Sequence, residues 1–260
     1  MALVTPPLLR LRGIGKRFGA VRALGGIDLD VGTGEAVAIC GDNGAGKSTL
    51  IRIISGAETA SEGTMAIDGR EISFRSPAQA LAAGIATTYQ DLALAPRLSI
   101  AQNVFMGGEL LRAPQWLGLL DKKRMRNTAR AYLNPFGFSV TDMDRPVADL
   151  SGGQRQAVAL ARALRWQARI VIMDEPTAAL AVAETRKVLA LVRRLSGRGC
   201  AVVIVSHNIS DVFEVADRMC VFRRGRKIAE RQRDETEPEE IIAFITGVHP
   251  ALRETEAQGA

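Results

Sequence analysis

VAICGDNGAGKSTLIRII, residues 37–54, decides how the rest of this chain is read. Residues 37–40 form an apolar run with strand character, residues 41–46 a glycine-rich loop, and a helix is expected from about Lys47. Gly41, Gly46, Lys47 and Ser48 fill the fixed positions of the phosphate-loop pattern G-x-x-x-x-G-K-[ST]. Glycine lets the backbone turn tightly enough to aim successive N–H groups at a polyphosphate. The helix that follows adds its positive end, roughly half a charge, against the same anion. The expected cradle is Gly41, Asp42, Asn43, Gly44, Ala45, Gly46, Lys47, Ser48 and Thr49, with Lys47 on the outer phosphates and the Ser48 hydroxyl placed for Mg²⁺. The competing reading is a plain strand–turn–helix with a chance Lys-Ser. A match set between a strand and a helix favours nucleoside triphosphate binding.

Composition bounds the rest. The chain has 260 residues, 47% hydrophobic, enough for one large α/β domain or two small ones. Aromatic residues make up only 5%, which argues against aromatic-studded nucleic-acid platforms. The net charge of +6 suits nucleotides, nucleic acid or an anionic membrane face and chooses among none of them. Cys40, Cys200 and Cys220 each sit in an apolar run without C-x-x-C spacing, so buried free thiols are expected. The N-terminus lacks signal-peptide character, and no run of about 18 apolar residues is present to span a bilayer.

Residues 8–37 alternate in short stretches and read as paired strands, with a turn at residues 13–15. A second hairpin is expected over 63–74, turning at Asp68-Gly69, followed by a capped helix over 76–84 and a strand over 85–89. Between 91 and 149 prolines punctuate helical spacing, notably 100–107 and 121–133, which reads as a helical insertion. Beyond it strands and helices alternate: helix 154–166, strand 169–173, helix 183–196, strand 201–206. That rhythm implies a mainly parallel sheet covered on both faces, an α/β class. A helix over 209–216, a hairpin turning at Gly225, a helix over 237–246 and a disordered tail from 249 complete the expectation.

RIVIMDEP, residues 169–176, ends a buried strand in Asp174-Glu175. Two carboxylates are thereby placed at the carboxyl end of a parallel sheet, where such sheets bind ligands. Asp174 suits Mg²⁺ and Glu175 suits polarising an attacking water. LSGGQ, residues 150–154, gives a helix start at which Ser151 caps and two glycines cost stability. A plain helix start needs only the serine. The glycines are explained if something approaches the backbone closely, although a second anion-binding helix end exceeds the needs of one nucleotide.

The set GDNGAGKST, Gln90, LSGGQ, MDEP and Ser206-His207, in this order, resembles the ATP-binding cassette (ABC) ATPases over nearly the whole chain. The resemblance implies a phosphate-loop cassette spanning 5–248, with an antiparallel N-terminal β subdomain and a helical subdomain inserted at about 91–150. It implies a head-to-tail dimer, in which Ser151, Gly152, Gly153 and Gln154 of one cassette close on ATP held by the other. By the same likeness Phe18 would stack on adenine, Gln90 would touch the metal or water, and His207 would hold the γ-phosphate. TYQDLAL, MDEPTAAL and SHNISDVFEVADR further resemble ATPases of bacterial monosaccharide importers of the ribose, xylose and fructose type, most of all a single-cassette fructose importer. That implies ATP and Mg²⁺ as cofactors, a homodimer or a second cassette, transmembrane permease subunits, a periplasmic sugar-binding protein, and residence at the cytoplasmic face of the inner membrane. No nucleic acid is implied. Another ABC transporter, or a soluble ABC protein of ribosomes or DNA, stays open as an alternative. Ala181 departs from the aspartate that many ABC proteins carry after TAAL.

Overall fold

The computed structural model describes residues 6–89, 92–134, 137–138, 140–178 and 180–252. β1 (Leu9–Phe18) and β2 (Val21–Val31) pair antiparallel, and the chain then enters β3 (Ala36–Gly41) and α1 (Lys47–Ile54). It returns to the first sheet as β4 (Glu62–Ile67) and β5 (Arg70–Ile72), then resumes the core with α2 (Pro77–Ala82) and β6 (Ile85–Thr88). The insertion supplies α3 (Ile100–Phe105) and α4 (Lys122–Leu133). After it come α5 (Gly152–Arg165), β7 (Ile170–Asp174), α6 (Val182–Ser196), β8 (Ala201–Val205) and α7 (Ile209–Val215). β9 (Arg218–Arg223), β10 (Arg226–Gln232) and α8 (Pro238–Thr246) follow.

Two sheets result. The first is antiparallel, ordered β2-β1-β4-β5. The second runs β10-β9-β3-β8-β7-β6 and is parallel except for β10 at one edge. Its strands are the apolar runs of the sequence because both of their faces are covered. Along β3, Val37 and Ile39 face a core shared with α1 and the antiparallel sheet, while Ala38 and Cys40 face one shared with α7 and α8. All five residues of β8 are buried. Full burial of each Val or Ile is worth about 1.5–3 kcal/mol, so the strands that carry the site are firmly held. The insertion packs through α5 into the core of the parallel sheet: Ile100, Val104, Met125, Ala129 and Leu133 belong to one cluster with Val158 and Ala161 of α5 and Val171 and Val202 of the sheet. Buried Asn103 shapes the chain entering α3. Its amide donates to the carbonyls of Ala95, Leu98 and Ser99, and its oxygen accepts from Ala95 N–H.

Three expectations are corrected. The turn placed at residues 13–15 is not one. β1 runs through it with register shifts between Leu11 and Ile14 and between Ile14 and Lys16. Gly13 adopts φ +60° and donates its N–H to Asp28 (2.7 Å). A glycine within a strand marks a bulge, and the reversal falls at residues 19–20. α2 begins without a side-chain hydrogen bond from Ser76, starting instead on Pro77. The tail expected to be disordered from 249 is held at first: His249 stacks on Phe244 (centroids 3.8 Å apart), and Leu252 packs against the same cluster. Residues 253–260 lie outside the described residues.

The turns at Asp68-Gly69 and Arg224-Gly225 have both residues at positive φ, as two-residue hairpins require. The three cysteines are free thiols. Burial pushes Cys40 and Cys220 up to about 12, so both act as small apolar groups, while Cys200 is half-buried.

Candidate functional site

The site grows from the carboxyl ends of the parallel strands. In space the order β3-β8-β7-β6 sets the glycine-rich loop beside Ser206-His207, and these beside Asp174-Glu175. Gln90, which follows β6, lies outside the described residues.

Residues 41–46 fold as glycine dictates. Gly41 has φ +152° and lies so close to β9 that a Cβ there would stand 2.4 Å from the Phe222 carbonyl. Gly46, at φ +103°, would press a Cβ within 2.7 Å of Leu24 and 3.0 Å of the Ala23 carbonyl. Gly46 is also the N-cap of α1, where no side chain caps the helix. Among the described residues, nothing accepts the backbone N–H groups of Gly44, Gly46, Lys47, Ser48 or Thr49. Five bare donors at a helix start are what a polyphosphate needs. Lys47 is buried, and its ammonium donates to the carbonyls of Gly41 (2.7 Å) and Asp42 (2.9 Å), spanning the loop from within. Ser48 is exposed, and the loop lines a groove of about 440 Å³.

Across the sheet, Asp174 is half-buried at the end of β7. Desolvation, then the neighbouring Glu175, raises its pKa, while Lys47 pulls it down. A carboxylate held so, two strands along the sheet from an exposed serine hydroxyl, has the hard oxygen chemistry that Mg²⁺ takes together with phosphate oxygens. Among the described residues no cluster of three or more His, Cys, Asp or Glu could hold a metal. A site needing one carboxylate plus substrate oxygens would not produce one.

Glu175 stands at φ +50°, a left-handed conformation fixed by its N–H donating to Val205 of β8 (2.8 Å). Its Oε2 lies 2.8 Å from His207 Nδ1. The carboxylate is largely covered at 19% exposure and the ring is open at 69%. The histidine thus orients the acid and leaves its Nε2 edge toward solvent. Below them, Thr177 donates to Asp211 (2.6 Å), and Asn208 caps α7 while its own N–H is held by Ser206. The loops after β7 and β8 are therefore tied together.

LSGGQ sits elsewhere. Ser151 and Gln154 form a reciprocal capping box at the start of α5. Gly152 is approached from within its own chain: a Cβ would meet the Leu180 Cδ2 at 2.4 Å and the Glu184 carboxylate at 3.2 Å, where the chain enters α6, and both are side-chain ends that can move aside. Ser151, Gly152, Gly153 and Gln154 line no part of the phosphate-loop groove of their own chain. Ala181 is the N-cap of α6 and offers it no side-chain hydrogen bond.

Phe18, at the tip of β1, is 45% exposed with Lys16 over its ring at 4.9 Å. It does not line the groove, but its pairing partner Val21 does. The groove also takes Arg22 and Ala23 from β2, and Arg224 and Gly225 from the last hairpin, none of which the sequence reading selected. Gly225 N–H donates to Ala45 (3.0 Å), and its carbonyl accepts from Gly25 (2.9 Å), so three distant segments meet there. The one sequence signal there was Gly225, read as the turn of a hairpin and not as part of the site.

Comparison with known proteins agrees with this geometry. The family described as ABC transporter is matched over residues 24–178. The chain is 47% identical to the fructose import ATP-binding protein FrcA of Rhizobium meliloti, over 95% of this chain and 97% of that one. It is 46% identical to the xylose/arabinose import ATP-binding protein XylG of Sulfolobus acidocaldarius, over 92% and 94%. It spans about half (47%) of the ribose import ATP-binding protein RbsA 2 of Escherichia coli O157:H7, at 41% identity. Among solved structures it is similar to the ADP conformation of MJ1267, an ATP-binding cassette of an ABC transporter, with TM-score 0.79 and 29% identity over 96% and 98% of the two chains. It is also similar to a dimeric post-hydrolysis cassette, MJ0796, bound to ADP and phosphate, with TM-score 0.72 and 27% identity over 86% and 98%. The bare loop, the paired carboxylates and these likenesses together place the chain in the ABC transporter family, as one of its ATP-binding ATPase cassettes.

Proposed function

We propose that this cassette powers a bacterial importer of a monosaccharide, with fructose the first sugar to test. What carries the reading is the Glu175–His207 pair set one strand from a loop of five bare N–H donors, an arrangement suited to hydrolysis. The near full-length likeness to a fructose import protein supports the cargo. In this reading Gly41 to Thr49 hold the phosphates, Lys47 turns from the loop carbonyls to the outer ones, and Phe18 stacks on adenine beyond Val21. Ser48, Asp174 and Gln90 would hold Mg²⁺, which would offset charge on the phosphates. Glu175 takes the proton of the attacking water and His207 holds the γ-phosphate. Ser151, Gly152, Gly153 and Gln154 act in trans. Their absence from their own chain's groove favours this, as does the dimer of a similar cassette.

ATP then closes a homodimer, or a pair with a second cassette, and hydrolysis reopens it. Permease subunits dock on the insertion and at its border with the core, where an apolar groove of about 350 Å³ between α2, β6 and α5 is lined by Leu81, Tyr89, Arg162 and Trp166, with Met106 the insertion's share. A periplasmic sugar-binding protein delivers cargo, and the cassette works at the cytoplasmic face of the inner membrane. None of its described helices is long and apolar enough to cross a membrane.

The test is Ser151→Arg. ATP binding by the monomer should persist while turnover disappears, because the arginine blocks the partner's γ-phosphate. Loss of monomer binding would refute the trans arrangement. Growth of a deletion strain on single sugars names the cargo: loss of growth on fructose alone supports it, and normal growth on fructose refutes it.

A further inference from the structure

The helical insertion carries a feature that nucleotide chemistry does not use. Residues 110–121 double back on themselves, with Leu111 and Leu120 bridged antiparallel. Arg112 N–H donates to the Leu119 carbonyl (2.8 Å) and Asp121 N–H to that of Leu110 (2.7 Å). The loop of this hairpin holds Trp116 and Leu117 and its return arm Leu119 and Leu120, exposed at 83%, 48%, 57% and 37%. Scattered exposed apolar side chains are ordinary, but four within five residues of one hairpin, one of them an indole, are not scattered. Gly118 between them, at φ +64° with open space around it, makes the reversal.

Cations flank this tip. Exposed Lys122, Lys123 and Arg124 open α4, and exposed Arg112 stands on the other arm of the hairpin. None of the four has an ion pair among the described residues. The one acid between 110 and 124, Asp121, is spent capping α4 through the Arg124 N–H (3.0 Å).

We propose that this hairpin seats on an anionic lipid surface, with Trp116 and the three leucines in the headgroup–acyl boundary and the four cations on lipid phosphates. An indole with aliphatic neighbours beside unpaired Lys and Arg is the chemistry of a membrane-interface anchor. Shape favours lipid over protein. A stable protein interface asks for roughly 800 Å² of matched surface on each partner. Four exposed apolar side chains on one hairpin offer less, whereas a lipid boundary needs no matched partner surface. The inference adds a direct lipid contact to the peripheral placement proposed above and rests on that placement for its setting only.

The experiment is co-sedimentation of the full chain with vesicles of phosphatidylglycerol and phosphatidylcholine, against phosphatidylcholine alone, without nucleotide. Binding should require the anionic lipid and weaken with salt. In a Trp166→Phe background, which leaves one of the chain's two tryptophans, Trp116 emission should shift to the blue on binding. Trp116→Ser with Leu119→Ser should weaken binding about tenfold or more, and Lys122→Ser with Lys123→Ser by a similar factor, at roughly fivefold per cation. The thermal midpoint should not move, because these side chains are exposed. No binding to anionic vesicles overturns the inference. So does binding indifferent to both double variants, or variants that keep vesicle binding but lose a membrane subunit in co-purification. ATP affinity, measured on the same variants, tests the nucleotide reading separately.

Discussion

Replacing Glu175 separates the chemistry of its carboxylate from the strain of its backbone. Glu175 sits at φ +50°, held by the hydrogen bond from its N–H to Val205. A left-handed conformation costs an L-residue with a full side chain about 1–2 kcal/mol, and asparagine escapes much of that cost. Glu175→Gln keeps the shape and the strain while removing the base. Glu175→Asn removes the base and recovers about 0.5–1 kcal/mol, which for a chain of this size raises Tm by about 1–4 °C. Both variants should hydrolyse ATP about 10²-fold or more slowly, the usual scale for a lost general base. The Gln variant should also accumulate a closed dimer with ATP. The His207 contact contributes little to the stability difference, because its ring is mostly in water. Thermal unfolding without nucleotide and single-turnover hydrolysis read the two effects independently. If the Asn variant melts at or below the Gln variant, the strain assignment is wrong. If either turns over near the wild-type rate, Glu175 is not the water-polarising group.

Other perturbations follow from the same geometry. Arg224 is exposed, lines the groove at φ +49°, and makes no ion pair or side-chain hydrogen bond among the described residues. Arg224→Asn keeps the turn and should weaken ATP affinity about fivefold, as an exposed charge contact does, with kcat unchanged. Equal affinity by nucleotide titration would refute the contact. Ala181→Asp should cap α6 and add about 0.5–1 kcal/mol by thermal unfolding, and an unchanged midpoint would refute it. Asp174 has its pKa raised by burial and by Glu175, so the folded chain binds its proton more tightly than the unfolded one. Stability from this residue is therefore present below the ordinary carboxylate range and is lost as pH rises through the raised value. Asp174→Asn should gain stability relative to wild type across that rise, in unfolding without nucleotide, and a flat difference refutes the assignment.

What could be read in advance was what local chemistry fixes. The apolar runs of β3, β7 and β8 can only be strands covered on both faces, and the glycines of residues 41–46 have one use beside a helix start. Gly13 misled because a bulge and a turn demand the same positive φ, and only the partner strand distinguishes them. Arg224 and Val21 were invisible because they reach the loop from opposite ends of the chain, and no periodicity encodes such a meeting. Gly152 was legible as a place of close approach. That Leu180 of the same chain is what approaches it was not.

β3 lies between β8 and β9, both encoded after residue 200, and Gly225 N–H closes on Ala45. During synthesis, which delivers the N-terminus first, the nucleotide loop is therefore made early and stays without a sheet neighbour until some 160 further residues have emerged, counting from Gly41 to Ala201. Such distant pairings are slow to form. A nucleotide that binds the folded loop then stabilises only chains in which β8 and β9 have closed on β3, and so rewards assembled cassettes over partly folded ones.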